Sequence, residues 1–180
     1  PVYLELGRKY PELLRFSANG DFIEQIRITA KNRMIQPSIM PISSDSAWAY
    51  FRNSSTNLDA RELFAAKTLD GGKSWSKPEM TNLTNPDSSL EVVNLADGRY
   101  LMVYNQDNRS HLNLAISVNG LYWRKIYELE NTPGDEFSYP SVHVNNGYID
   151  ILYTNNRKTI KHVRFNREWL SEVIKHATVY

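Results

Sequence analysis

The stretch that decides the fold is TLDGGKSW, at residues 68–75. Two weaker copies flank it: SANGDF at residues 17–22 begins 51 residues earlier, and SVNGLYW at residues 117–123 begins 49 residues later. In each copy, Ser/Thr and Asp/Asn side chains can bond to the turn backbone, and Gly permits a positive φ. The pattern therefore predicts a repeated structural turn, with neither a calcium site nor a catalytic site within it.

Two further registers keep the same period. A proline that opens a strand recurs at residues 37, 86 and 140, with spacings of 49 and 54. An aromatic side chain near the end of the following strand recurs at residues 51, 104 and 153, with spacings of 53 and 49. Several short strands in each period of this length are typical of propeller blades, each built from four antiparallel strands.

The sequence therefore predicts an all-β chain that forms one partial propeller of about three and a half blades. Strands rich in Tyr, Val, Ile and Leu are expected at 47–52, 99–105 and 148–154. A helical period is found only at Arg167–His176, which predicts one short C-terminal helix. The approximate blades are residues 1–33, 34–83, 84–133 and 134–180.

An open ring of blades leaves strand edges and blade faces exposed. The chain also begins with Pro1 instead of Met. We therefore expect it to be the C-terminal half of a longer protein, to associate with a second copy of itself, or to pack its end blades against another partner.

The composition excludes several classes of protein. The 180 residues include no Cys, which removes disulfide frameworks, thiolate catalysis and Cys-ligated metal sites. With 21 basic and 20 acidic residues, the formal charge of +1 gives no attraction to nucleic acid or to an anionic membrane. No run approaches the length of a membrane span, and the histidines lack metal-ligand spacing. We expect a soluble protein without metal or cofactor.

The motifs together resemble a known family. TLDGGKSW matches the Asp box, Ser/Thr-x-Asp-x-Gly-x-Thr/Ser-Trp, through Thr68, Asp70, Gly72 and Trp75. Further matching stretches follow in order between residues 36 and 165: QPS, YFR, NPDS, DGR, YN, EFSYPS, YTNNR and IKHV. The chain resembles the C-terminal half of the sialidase-like (BNR/Asp-box) six-bladed propellers, and within them the predicted-sialidase branch.

This resemblance implies a glycoside hydrolase that acts on a carboxylate-bearing glycan. Guanidinium groups pair bidentately with carboxylates. Arg52 and Arg109 match the second and third of three family arginines, and Tyr139 matches the nucleophilic tyrosine. A tyrosine nucleophile is an exception among glycosidases, and it needs a nearby base to attack at neutral pH.

The sequence also departs from the family pattern. Gln36 stands where the family tends to place the glutamate that serves the tyrosine, and an amide cannot accept the phenol proton. Glu136, three residues before Tyr139, is the candidate substitute, or it only stabilises the start of its strand. The first arginine and the acid/base aspartate belong to N-terminal blades that this chain does not contain.

A second interpretation is an inactive propeller that binds carbohydrate or protein, and a third is a structural fragment with no activity. In the second, polar side chains form a face that recognises sugar, and Gln36 in the place of a base favours this interpretation. Gln36 and Arg52 are also candidate substrate contacts. His162 is more often a hydrogen-bonded strand residue than a catalyst in such a position. A glycan is the expected ligand, and the resemblance favours a secreted or periplasmic location. The other candidate contacts of the face are Asn85, Asn105, Arg109, Glu136, Tyr139, Arg157 and His162.

Overall fold

The computed structural model describes residues 2–4, 9–29, 33–55, 57 and 61–177. Over these residues the chain folds into four antiparallel sheets and one helix. The first sheet contains β1 (Val2–Leu4), β2 (Tyr10–Phe16) and β3 (Phe22–Arg27). The second contains β4 (Met34–Pro41), β5 (Ala47–Asn53), β6 (Glu62–Thr68) and β7 (Glu79–Thr84).

The third sheet repeats the four-stranded meander of the second, and the fourth ends in a helix. The third contains β8 (Glu91–Asn94), β9 (Tyr100–Asn105), β10 (His111–Ser117) and β11 (Arg124–Asn131). The fourth contains β12 (Phe137–Asn145), β13 (Tyr148–Asn155) and β14 (Thr159–Asn166), and α1 (Arg167–His176) follows.

The first strands of the sheets lie side by side. β1 contacts β4, β4 contacts β8, and β8 contacts β12, whereas the later strands of each sheet lie progressively further out. Sheets arranged radially around their first strands are the blades of a propeller. The predicted all-β propeller segment is confirmed.

Apolar cores fill the spaces between neighbouring sheets, because successive side chains of a strand point to opposite faces. In β9, Met102 and Tyr104 pack with the second sheet, and Leu101 and Val103 pack with the fourth. The same alternation on β5 sends Tyr50 to the third sheet. Side chains between neighbouring sheets are buried in these cores. Those that can contact a ligand are therefore expected at strand ends and in loops.

The Asp box is a compact turn held by its own side chains. The Thr68 hydroxyl donates to Asp70 Oδ1 at 2.9 Å and accepts from the Gly72 amide at 3.0 Å. Asp70 accepts from the Ser74 amide and hydroxyl, and these bonds, followed by that of Thr68, lower its pKa to about 2. Trp75 packs against the core between the first and second sheets.

The predicted C-terminal helix is confirmed with the expected bounds. Asn166 caps it, since its side chain accepts a hydrogen bond from the Trp169 amide at 2.9 Å. Glu168 in the first turn, with Lys175 and His176 in the last, complements the helix dipole. Buried Leu170 anchors the helix to the core between the third and fourth sheets.

Candidate functional site

Three residues in left-handed backbone conformations mark one end of the innermost strands. Gln36, Asp87 and Tyr139 have φ angles of 44°, 54° and 55°. Gln36 and Tyr139 lie at register shifts in β4 and β12, and Asp87 lies four residues before β8. Such backbone conformations are unfavourable for residues other than Gly, and they concentrate at functional sites. The three sheets therefore present equivalent strained positions to one another.

Arg52, near the end of β5, joins these three positions. Its Nε donates to Asp87 Oδ1 at 2.8 Å, and its Nη1 donates to Gln36 Oε1 at 2.6 Å. Burial lowers the pKa of Arg52, but its hydrogen bonds to Asp87 and to the Tyr139 phenol raise it above the ordinary value overall. Arg52 is therefore a permanently charged centre whose orientation is already determined by the protein.

Arg109 is a second arginine close to Tyr139. Its guanidinium carbon is 5.8 Å from the centre of the Tyr139 ring, and Tyr139 is 46% exposed. Nη2 of Arg109 donates to the Asp87 carbonyl at 2.8 Å, and Nη1 donates to Glu136 Oε1 at 2.9 Å. Arg52 and Arg109 thus approach Tyr139 together.

Glu136 connects Arg109 to Arg157. Arg157 Nε lies 3.1 Å from Oε1 and 3.0 Å from Oε2 of Glu136, and the Ser138 hydroxyl donates to Oε1 at 3.0 Å. Burial raises the pKa of Glu136, but the hydrogen bonds from Arg157, Arg109 and Ser138 together hold it below its usual range. The carboxylate is therefore ionised and engaged.

These contacts assemble six of the predicted site residues around one surface. The three guanidinium groups face two carboxylates, which leaves one positive charge of the cluster unbalanced. We call this set the arginine–tyrosine cluster: Gln36, Arg52, Asp87, Arg109, Glu136, Tyr139 and Arg157.

Asn85 and Asn105 lie beneath the cluster, and both are fully buried. Asn85 Oδ1 accepts from the amides of Asn53 and Ser88, and its Nδ2 donates to the Ser88 carbonyl. Asn105 accepts from the Ser88 hydroxyl and donates to the carbonyl of Phe137. Their side-chain amides hold the loops of neighbouring sheets together. The proposed ligand contacts therefore do not include Asn85 and Asn105.

His162 belongs to a different group, on the outer face of the fourth sheet. Its Nε2 lies 2.6 Å from Asp150 Oδ1, which also accepts from Arg164 Nε at 2.7 Å. Asp150 pairs with His143, two pairs from the β12–β13 hairpin turn, whereas Arg157 is in the turn at the opposite end of β13. The structure thus separates His162 from the arginine–tyrosine cluster.

Asp87 is the member of the cluster that the sequence pattern missed. Alignment of the three prolines placed Asn85 opposite Gln36 and Tyr139, because each of these residues precedes a proline. In the structure the residue with the matching left-handed φ is Asp87, after Pro86. The register is shifted by two residues there, which exchanges a buried Asn for a half-exposed Asp.

The described residues offer neither a metal site nor a membrane-spanning helix. Over the part of the chain that the structure describes, no group of three or more His, Asp or Glu side chains is placed to hold a metal ion. Within the same residues, no helix has the length and apolarity needed to cross a membrane.

Comparison with protein families places the chain. The model of the BNR repeat-like domain matches residues 1–151, so the chain belongs to that family. The resemblance inferred from the motifs is confirmed at this level. A search of curated proteins found no significant match.

Solved structures share the fold at low sequence identity. A Penicillium chrysogenum α-L-arabinanase complexed with arabinobiose is 18% identical, with a TM-score of 0.58 over 74% of this chain and 46% of its own. The E242A mutant of a Fusarium graminearum α-L-arabinofuranosidase is 15% identical, with a TM-score of 0.58 over 73% and 44%. A Hadza microbial sialidase, Hz136, is 13% identical, with a TM-score of 0.63 over 91% and 40%. The chain spans less than half the length of these structures.

Proposed function

We propose that this chain is part of a sialidase-like glycoside hydrolase that binds a carboxylate-bearing glycan at the arginine–tyrosine cluster. The observation that carries the proposal is the convergence of Arg52, Arg109 and Arg157 around accessible Tyr139. One unbalanced positive charge suits a ligand with one carboxylate. Guanidinium groups also hold such a ligand in a defined orientation, because they bond both carboxylate oxygens.

Tyr139 is the proposed nucleophile. Its ring centre is 5.8 Å from the guanidinium carbon of Arg109, and two further guanidinium groups, of Arg52 and Arg157, belong to the same cluster. In the proposed step, the phenolate oxygen bonds to the anomeric carbon, the glycosidic oxygen leaves with a proton from an acid, and water later hydrolyses the tyrosyl glycoside. Glu136 is the proposed base, and it must leave its ion pairs to accept the phenol proton.

The acid and a further arginine are proposed to come from additional blades, either of a longer chain or of a second copy. A secreted or periplasmic location is part of the same proposal, because polymeric and surface glycans are met there. The structural neighbours that are glycosidases support the ligand class only through their shared fold.

The test is Tyr139→Phe in the full-length protein, with turnover of an aryl glycoside as the readout. Loss of the phenol oxygen removes the nucleophile, so we expect turnover to fall by at least about a thousandfold, the scale seen when a covalent catalyst is removed. Tyr122→Phe is the matched control, because Tyr122 is mostly exposed in the turn at residues 117–123. Full activity of the Tyr139 variant would refute the assigned role.

A propeller that binds glycan without turnover is the second candidate. Gln36 has no basic group, and Glu136 is held by two guanidinium groups, which favours binding without turnover. Calorimetry against a panel of acidic and neutral glycans, with product analysis of each mixture, distinguishes the two. Binding without any product supports this candidate over the hydrolase.

A further inference from the structure

Arg157 is held in an unusual backbone position. It follows Asn156 in the turn between β13 and β14, and both residues have a φ of 52°. The Lys158 amide closes the turn by donating to the Asn155 carbonyl at 3.0 Å. Two consecutive left-handed residues define a turn whose second position normally favours Gly. Arg157 thus holds a long cationic side chain on a backbone conformation that is unfavourable for it, and such conformations are common at functional sites.

The same turn fixes Glu136 through its backbone. The Glu136 amide donates to Asn156 Oδ1 at 2.7 Å, and the Asn156 amide donates to the Glu136 carbonyl at 2.7 Å. The main chain of Glu136 is therefore positioned without help from its carboxylate. A change confined to that side chain leaves both backbone bonds in place.

The carboxylate of Glu136 occupies the best anion position of the cluster. It receives hydrogen bonds from Arg109 and Arg157, and Ser138 adds a neutral donor. The Arg157 side chain is 69% exposed, against 20% for Arg109, so the position is open to solvent on the Arg157 side. A ligand carboxylate that reached this position would meet the same three donors.

We propose that Glu136 is an internal occupant of the ligand-carboxylate position, and that the incoming ligand displaces it from Arg109 and Arg157. This rests on the proposed function, since it takes the ligand to carry a carboxylate. Arg52 then has a separate task, because its bonds to Gln36 and Asp87 hold the groups around Tyr139. Glu136 sets specificity: only a ligand with its own charged, two-oxygen acceptor can replace it.

Displacement of Glu136 predicts that removal of a charged group from the cluster increases the affinity for the ligand. A tethered carboxylate competes with ligand at an effective concentration in the millimolar range or above. Removal of its charge should therefore tighten the binding of acids, whereas loss of a base would abolish turnover and leave acid binding unchanged. The two roles of Glu136 are separated by affinity measurements alone.

The experiment is titration calorimetry of the full-length protein with the methyl glycosides of a sialic acid and of glucuronic acid, each beside its neutral methyl ester. We expect Glu136→Gln to bind the acids roughly tenfold more tightly and the esters unchanged. Glu172→Gln on α1 is the matched control, because it makes the same chemical and charge change at an exposed helix position. We expect no change in its affinities.

A second variant keeps the test independent of how well Glu136→Gln folds. Arg157→Ala removes a mostly exposed side chain, and we expect it to weaken acid binding roughly tenfold without affecting the esters. If the unaltered protein binds the acids and Glu136→Gln binds them no more tightly, the displacement is refuted and the proposed function stands. If neither protein binds either acid, both are refuted.

Discussion

Gly120 offers the sharpest test of how the repeated turns hold the propeller together. It lies in the SVNGLYW copy of the Asp box with a φ of 82°. A Cβ atom at this residue would lie 2.6 Å from Trp48 Nε1 and 2.9 Å from the Tyr50 hydroxyl. Both aromatic side chains are buried, and Tyr50 donates to the Gly120 carbonyl at 3.0 Å. In Gly120→Ala, the new methyl group therefore overlaps both aromatic side chains, and they must move away from residue 120.

The size of the effect follows from two separable terms. An Ala at a positive φ costs about 1 kcal/mol, and overpacking of a well-packed core adds about 2 kcal/mol. Gly120→Ala should thus lower the free energy of unfolding by about 3 kcal/mol. Gly98→Ala isolates the first term, because Gly98 has a φ of 84° and nothing lies within 4 Å of its Cβ position. We expect a cost of about 1 kcal/mol for it.

The assay is urea unfolding at 25 °C, monitored by tryptophan fluorescence. The two variants can be compared directly if their m-values agree. A difference of about 2 kcal/mol between them is expected from the overlap with Trp48 and Tyr50. If the two variants are equally stable to within about 0.5 kcal/mol, the turn yields without disturbing the aromatic core, and the reasoning is wrong.

Two further predictions concern buried polar groups near the inner strands. Burial, opposed by a hydrogen bond with Ser38, raises the pKa of Glu91 from 4.5 to about 7. Because the folded state then holds a proton that the unfolded state releases, stability should fall as the pH rises from about 4.5 to about 7 and level off above it. Glu91→Gln should abolish that fall. The measurement is the melting temperature of both proteins at pH 5 and pH 8. If the variant still melts at a lower temperature at pH 8 than at pH 5 by as much as the unaltered protein, Glu91 is not the cause. Asn85→Ala leaves the amides of Asn53 and Ser88 without their acceptor, so it should cost about 3 kcal/mol in urea unfolding, and a cost below about 1 kcal/mol would contradict the structural role of Asn85.

The architecture could be predicted because its signals are local. A turn such as TLDGGKSW satisfies its own backbone, through Thr68 and Asp70, within a few residues. The central strands β5 and β9 alternate between two cores, and the helical period at the C-terminus has a cap and an apolar face of its own. Each of these features depends on neighbours in the chain, so a sequence pattern is sufficient to identify it.

The candidate site was predicted in part. The family resemblance predicts Arg52, Arg109 and Tyr139, and the structure brings them together with Gln36, Glu136 and Arg157. Their separate roles remain proposals. His162 was grouped with them because of its polar type, although it contacts Asp150 on another face.

The sequence alone established the blade period, the structural turns, the all-β class and the final helix. It did not establish which polar side chains share a surface, because that depends on contacts between residues 16 to 35 positions apart in the chain, most of them on different sheets. Asp87 shows the reason: a shift of two residues relative to the proline register places it against Arg52, and Asn85 is turned into the interior. Such a shift is decided by packing between sheets, where burial and hydrogen-bond satisfaction outweigh the local motif.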